Sequence, residues 1–349
     1  MTTPQTEPRG HSFHETHRAE EKVERYFGAR PTLSESFVDE LLGRQLQYEP
    51  QLAYLSSVIA GWSYADGASL AKQLKFYGLP GASIEEFGVT NEVMYIVATA
   101  YLIRSRCGRV AFLAFRGTEP TNLVNWLTDA DVAPRSFGGR GSVHRGFYTN
   151  LRSIWEDVSI ALNQAMDGEG EGGDNGGGNG HGASRPLQRL YITGHSLGGA
   201  MAVLAGARIL VEGNERWRGA LSGIYTFGQP AVGDASFARQ FESDLGRLLY
   251  RHEFRADAVP RLPPQTTGEF THFGEARVSL SPQSRWNVTG VASEQAPFIL
   301  ATAASVVGSF VLRRIPALSS WDSKIFRYSL LDDHSPSRYI EVSRASLDG

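Results

Sequence analysis

Apolar positions along this chain recur in two rhythms, and the switches between them outline its elements. Between Leu46 and Tyr64, the residues Leu52, Leu55, Val58, Ile59 and Trp62 fall at helical spacing, and Ser69–Tyr77 predicts a second helix. Val93–Ile103 and Val110–Phe115 are rich in β-favouring residues. A short Arg/Gly turn holding Cys107 separates them, so they predict a hairpin. Phe147–Met166 returns to helical spacing. Gly223–Phe227 and Leu248–Phe254 are short apolar runs followed by Gly or Pro, as expected of buried strands. Strands alternating with helices predict one α/β sheet, and no internal repeat is visible.

Polar stretches set the boundaries. Residues 1–45 read as a polar N-terminal arm, and 46–349 as a single domain. His11, His14 and His17 lie in that weakly hydrophobic arm, a setting of disorder rather than of a metal site. The arm lacks the apolar centre of a secretory signal, so a cytoplasmic or peripheral membrane location is the expectation. Gly168–Gly182 is almost wholly Gly, Glu, Asp and Asn and reads as a surface loop inside the domain. Pro297–Leu312 is the most apolar run, shorter than the roughly 20 residues a bilayer span needs. A buried or lid-like helix is the expectation there, with a membrane-surface helix as the alternative.

Charge and cysteine narrow the classes. With 37 acidic and 34 basic residues the formal charge is −3, so no overall basic field recommends nucleic acid as a partner. A single cysteine excludes an internal disulfide framework and a thiolate-rich metal site.

One stretch carries chemistry. Leu190-Tyr-Ile-Thr-Gly-His-Ser196-Leu-Gly-Gly-Ala200 reads as a buried strand running through a G-x-S-x-G corner into a helix of small apolar residues. Such a corner holds the serine hydroxyl out at the end of a sheet, beside the positive end of the next helix. A serine nucleophile needs a histidine base, and the histidine needs a carboxylate to orient it. In a serine-elbow sheet the chain order is Ser, acid, His, so both partners lie downstream. Asp257 follows a buried strand in Phe254-Arg-Ala-Asp257-Ala-Val-Pro260, at the carboxyl end where open α/β sheets build their sites. Asp234 also follows a strand but sits where a helix starting near Ala235 would be capped. Of the three downstream histidines, His252 lies in an apolar strand and His272 alternates with apolar residues. His334 lies in the polar segment Leu331-Asp-Asp-His334-Ser-Pro, from which a base can reach the serine. An oxyanion site needs two backbone N–H donors, which Leu197 and Thr118, after the Ala111–Phe115 strand, can supply.

Taken together, Phe115-Arg-Gly-Thr118, Asn125-Trp126-x-x-Asp129, Val143-His-Arg-Gly-Phe147, Gly194-His-Ser-Leu-Gly-Gly199, Phe227-Gly-Gln-Pro230, Asp257-x-Val-Pro260-Arg-Leu-Pro263 and Asp333-His334 resemble the fungal-type or class 3 lipase family. The motifs run in family order over most of the chain. The resemblance implies an α/β-hydrolase fold, a mostly parallel sheet flanked by helices, with a lid; an apolar cap-like insertion is expected where the chain departs from the family. It implies hydrolysis of lipid esters such as triacylglycerols by a serine carboxylester hydrolase, with no metal or organic cofactor. A phospholipase A1-type or monoacylglycerol lipase is the alternative, and a non-catalytic lipid-binding relative the alternative of another class. By similarity Ser196 is the nucleophile, His334 the base, Asp257 the orienting acid, and Thr118 and Leu197 the oxyanion donors. The implied lid spans Glu119 to about Phe137, where Leu123, Trp126 and Leu127 at i, i+3, i+4 make one apolar face. The expected partner is a lipid ester, with peripheral contact to a membrane or lipid-droplet surface. Pro282–Phe326 reads as an insertion lengthening the interval between Asp257 and His334.

Overall fold

The computed structural model describes residues 36–91, 96–118, 134–168, 185–212, 214–263, 270–288 and 332–347. The polar arm up to residue 35, most of the Gly-rich segment, the lid residues Leu123, Trp126 and Leu127 and the apolar run 297–312 lie outside them.

The first described elements are a short helix α1 (Phe37–Glu40), α2 (Pro50–Trp62) and α3 (Gly67–Leu74). Pro50 opens α2, where a missing N–H costs no intrahelical bond. Asp66 caps α3, its side chain accepting from Ser69 N at 2.8 Å. The helical spacing read there belongs to a helix covered on nearly every side, Leu52 through Ala60 all being buried.

Strands β1 (Ser83–Asn91), β2 (Ile96–Arg104) and β3 (Val110–Phe115) form an antiparallel meander. The predicted hairpin is therefore present, and its turn closes through Gly108 N to Ser105 O at 2.8 Å. β1 was not visible in the sequence. It is an edge strand exposed along most of its length, and its Glu85-Glu86 pair breaks the apolar run that marks a buried strand.

After β4 (Pro134–Ser136) and β5 (Ser142–His144), helix α4 (Arg145–Asp167) leads by way of the Gly-rich segment to β6 (Arg189–His195). Then follow α5 (Leu197–Val211), α6 (Glu215–Ala220), β7 (Leu221–Phe227), β8 (Gly233–Asp234) and α7 (Ala235–Leu245). Asp234 caps α7 as read from the sequence, accepting from Phe237 N at 2.7 Å. The described chain ends with β9 (Leu249–Phe254), β10 (Phe270–Thr271), β11 (Glu275–Ser279), β12 (Asn287–Val288) and α8 (Pro336–Ala345).

The main sheet has the order β1-β2-β3-β6-β7-β9-β11-β12. From β3 to β11 every neighbouring pair is parallel, as the expected mostly parallel sheet requires. Alternation along the strands sends Ala111, Leu113 and Phe115 to one face and Val110, Phe112 and Ala114 to the other. The first face packs α4, α5 and α7; the second packs α1, α2, α3 and α8. Strands β10-β8-β5-β4 form a second, small antiparallel sheet whose Val143 joins the core of the first face.

Two expected boundaries move. Pro134–Ser136, assigned to the lid, form β4, and Phe137 is buried against Phe237 and Phe241. The start of the assigned insertion belongs to the main body. Trp286 is buried, its indole N–H donates to Ser343 Oγ on α8 at 2.9 Å, and Asn287–Val288 pair with β11. Both segments are too short and mixed in polarity to show a period.

Candidate active site

The site grows from the carboxyl ends of adjacent parallel strands, where chain leaving the sheet is free of ladder bonds. Thr118 follows β3, Ser196 follows β6, Gly228 follows β7 and Asp257 follows β9. These strands are neighbours in the order β3-β6-β7-β9, so residues distant in sequence end side by side.

Ser196 is the corner between β6 and α5, with φ 59° and ψ −129°. That positive φ in a residue with a Cβ costs on the order of 1–3 kcal/mol and persists because the surroundings leave no alternative. A Cβ on Gly198 would lie 2.1 Å from Phe115 O, and one on Gly194 2.3 Å from the Gly198 carbonyl carbon. Only glycine lets helix, strand and corner approach this closely. A bond from Ser196 N to Phe227 O at 2.9 Å ties the corner to β7.

The structure brings Asp257 and His334 together across 77 residues. His334 Nδ1 lies 2.7 Å from Asp257 Oδ2, and both side chains are almost wholly buried. A carboxylate only accepts, so Nδ1 carries the proton and Nε2 presents a lone pair. The carboxylate is itself held: Oδ1 accepts from Val259 N at 2.9 Å and Oδ2 from the Tyr339 hydroxyl at 2.5 Å. Burial, and then the adjacent Asp257 charge, pushes the Tyr339 phenol well above its usual range, so it stays a donor.

Ser196 Oγ and His334 Nε2 are both buried, and neither has a partner among the described residues. One is a hydroxyl donor and the other a lone pair, the complementary groups that serine–imidazole chemistry uses. Leu197, the first residue of α5, has an N–H with no acceptor inside its own helix. This frame can deliver an alkoxide-like oxygen to an acyl carbon and receive the resulting oxyanion at a helix N-terminus.

Residues 112–267 match the family model described as Lipase (class 3). Over that segment the chain is similar to class 3 lipases. It is 27% identical over 277 residues to the triacylglycerol lipase OBL1 of Ricinus communis, covering 66% of this chain and 52% of that protein. To a lipase of Rhizomucor miehei it is 31% identical over 179 residues, covering 50% of this chain and 43% of that one. The chain thus spans about half the length of the curated relatives it matches. Its fold superposes on lipase II of Rhizopus niveus with a TM-score of 0.54 at 25% identity, over 72% of this chain and 91% of that one.

The other two histidines downstream of Ser196 are engaged elsewhere. His252 is buried in β9, with Nδ1 3.0 Å from Thr226 O and Nε2 3.3 Å from the Tyr48 hydroxyl. Burial lowers its pKa to about 3. His272 places Nε2 2.6 Å from Pro260 O. His334 itself leaves the polar loop expected for it: it is buried just ahead of α8, within a short turn formed with Asp332 and Asp333. Asp333 helps fix that turn, accepting from Ala256 N at 3.3 Å with Arg255 3.7 Å away. Tyr339 escaped the sequence reading because an isolated tyrosine on an amphipathic helix carries no signal of what its hydroxyl meets. No group of three or more His, Cys, Asp or Glu side chains among the described residues could hold a metal ion.

Proposed function

We propose that this chain is a serine carboxylester hydrolase acting on lipid esters, with triacylglycerol as its leading substrate class. The observation that carries the reading is the buried Asp257–His334 pair together with a strained serine corner, the Ser196 hydroxyl and the His334 Nε2 lone pair both buried without a partner among the described residues. In this reading Ser196 Oγ attacks the ester carbonyl as His334 Nε2 takes its proton. The oxyanion is received by the N–H groups of Leu197 and Thr118. Collapse of the tetrahedral species breaks the acyl–oxygen bond, and the alcohol leaves with the proton from His334. Water, deprotonated by the same imidazole, then attacks the acyl-enzyme and restores Ser196.

The names of the Ricinus and Rhizomucor relatives support a lipid ester, and the first specifies triacylglycerol. Contact with a lipid surface, by way of Leu123, Trp126 and Leu127, belongs to the same proposal and rests on their i, i+3, i+4 spacing. A fluorophosphonate probe should label the intact protein and fail on Ser196→Ala. Turnover of p-nitrophenyl esters should fall about ten-thousandfold or more in that variant. Triglyceride emulsion should be hydrolysed faster than phosphatidylcholine; the reverse order would point to a phospholipase. No labelling of the intact protein with lipid present would sink the hydrolase reading.

A further inference from the structure

The residue immediately before Ser196 binds three parts of the site at once. His195 is almost wholly buried, and its Nε2 lies 2.8 Å from the main-chain carbonyl of His334. Its Nδ1 lies 2.9 Å from the hydroxyl of Tyr64, just beyond α2. The carbonyl can only accept, which fixes the tautomer: Nε2 carries the hydrogen, Nδ1 is a lone pair, and Tyr64 donates to it. The Tyr64 hydroxyl also fills the space beside the turn that follows β3. A Cβ built on Gly117 would lie 2.1 Å from Tyr64 Oη and 2.5 Å from His195 O. One phenol and one imidazole therefore connect the Arg116-Gly117-Thr118 turn, the serine corner and the backbone of residue 334.

We propose that Tyr64 and His195 form a positioning pair that holds the His334 backbone and the Gly117 turn in register with Ser196. The proposal rests on the hydrolase reading above. His334 needs two anchors to aim its imidazole. Asp257 holds the Nδ1 side of the ring, and His195 holds the main chain from which the ring swings. The two imidazoles lie with centroids 4.5 Å apart. A charge on His195 would therefore oppose the imidazolium that His334 becomes during turnover. The Tyr64 hydrogen bond occupies the one lone pair through which His195 could take up a proton. Burial, and then the neighbouring His334 ring, hold its pKa well below the usual imidazole range.

The test compares wild type with Tyr64→Phe, His195→Leu and His195→Gln on a soluble short-chain p-nitrophenyl ester. The concentration of competent sites is set by fluorophosphonate titration, and folding is checked by thermal melting. Glutamine can place an amide N–H close to the position of Nε2, so it restores the donor to the His334 carbonyl. Per titrated site, His195→Leu should lose kcat about a hundredfold with KM within about twofold, the scale of an ångström-level misplacement. His195→Gln should recover most of that loss, and Tyr64→Phe should lose about tenfold in kcat. Equal kcat in wild type and Tyr64→Phe would overturn the proposal. So would a glutamine variant no better than leucine, or losses carried by KM. If His195→Leu does not fold, Tyr64→Phe and His195→Gln decide alone. If wild type neither labels nor turns over ester, the hydrolase reading itself fails, a result distinct from active wild type with indifferent variants.

Discussion

Asp257 Oδ2 receives two donors, His334 Nδ1–H and the Tyr339 hydroxyl, and they make different demands on it. The first fixes the tautomer of the base and stabilises the imidazolium; the second only fixes the carboxylate. Asp257→Asn puts an amide in the carboxylate's place, removes the compensating charge and can present a donor where His334 needs an acceptor. Its kcat should fall roughly a thousandfold to ten-thousandfold. Tyr339→Phe leaves the carboxylate charged, with Val259 N still bound to Oδ1, so kcat should fall only about three- to tenfold. Steady-state kinetics at pH 8 would measure both; a Tyr339→Phe loss as deep as that of Asp257→Asn would mean the phenol has a larger share than this geometry gives it. At this scale the serine corner was legible because a strained nucleophile turn needs glycine on both sides, which leaves a local signature. The roles of Tyr339, Tyr64 and His195 were not, since each depends on what a side chain meets far along the sequence.

Among the elements, α5 has the tightest tolerance. Leu197 through Ala207 are buried, and the helix begins against the carbonyl of Phe115 at the end of β3. Gly198→Ala would drive a methyl group to 2.1 Å from that backbone oxygen, and a backbone atom cannot rotate aside. Either α5 moves or the end of β3 does, and the latter carries the Thr118 turn. Stability should drop by about 1–3 kcal/mol. Turnover per folded molecule should fall at least tenfold, since the proposed oxyanion donors, Leu197 and Thr118, sit on those same two segments. Chemical denaturation with active-site titration separates the two effects; unchanged turnover per site would show that the turn does not depend on this contact. The long helices and central strands could be read from their periods because each buries one continuous face or run. Strands β1, β11 and β12 and those of the small sheet could not. Glu85-Glu86 interrupts the first, Glu275 and Arg277 lie within the second, and the others are two or three residues long.

The whole molecule buries histidines in neutral form, which links its stability to pH. Burial lowers His144 to about 4, and His252 to about 3. In the unfolded chain both titrate near 6.5. Above that pH neither state binds the extra protons and the native state keeps its full stability. Below it the unfolded chain takes up protons that the folded chain refuses until near pH 4 and 3, so stability falls as pH falls. By pH 5 the loss is roughly 2 kcal/mol for each of the two histidines. Denaturant midpoints should therefore drop clearly between pH 7.5 and pH 5, and His252→Gln should flatten part of the slope. A midpoint constant over that range would contradict the neutral burial of these rings.

The sequence alone determined the alternation of strands and helices, the serine corner and the resemblance to class 3 lipases. Each of these is written within a few consecutive residues, as a period, a glycine spacing or a motif. Tertiary structure decided which imidazole meets which carboxylate, what fills the space beside Gly117, and where the small sheet and the tail of the main sheet fall. Such contacts join residues many tens of positions apart, and no local pattern records a distance that exists only once the strands lie side by side.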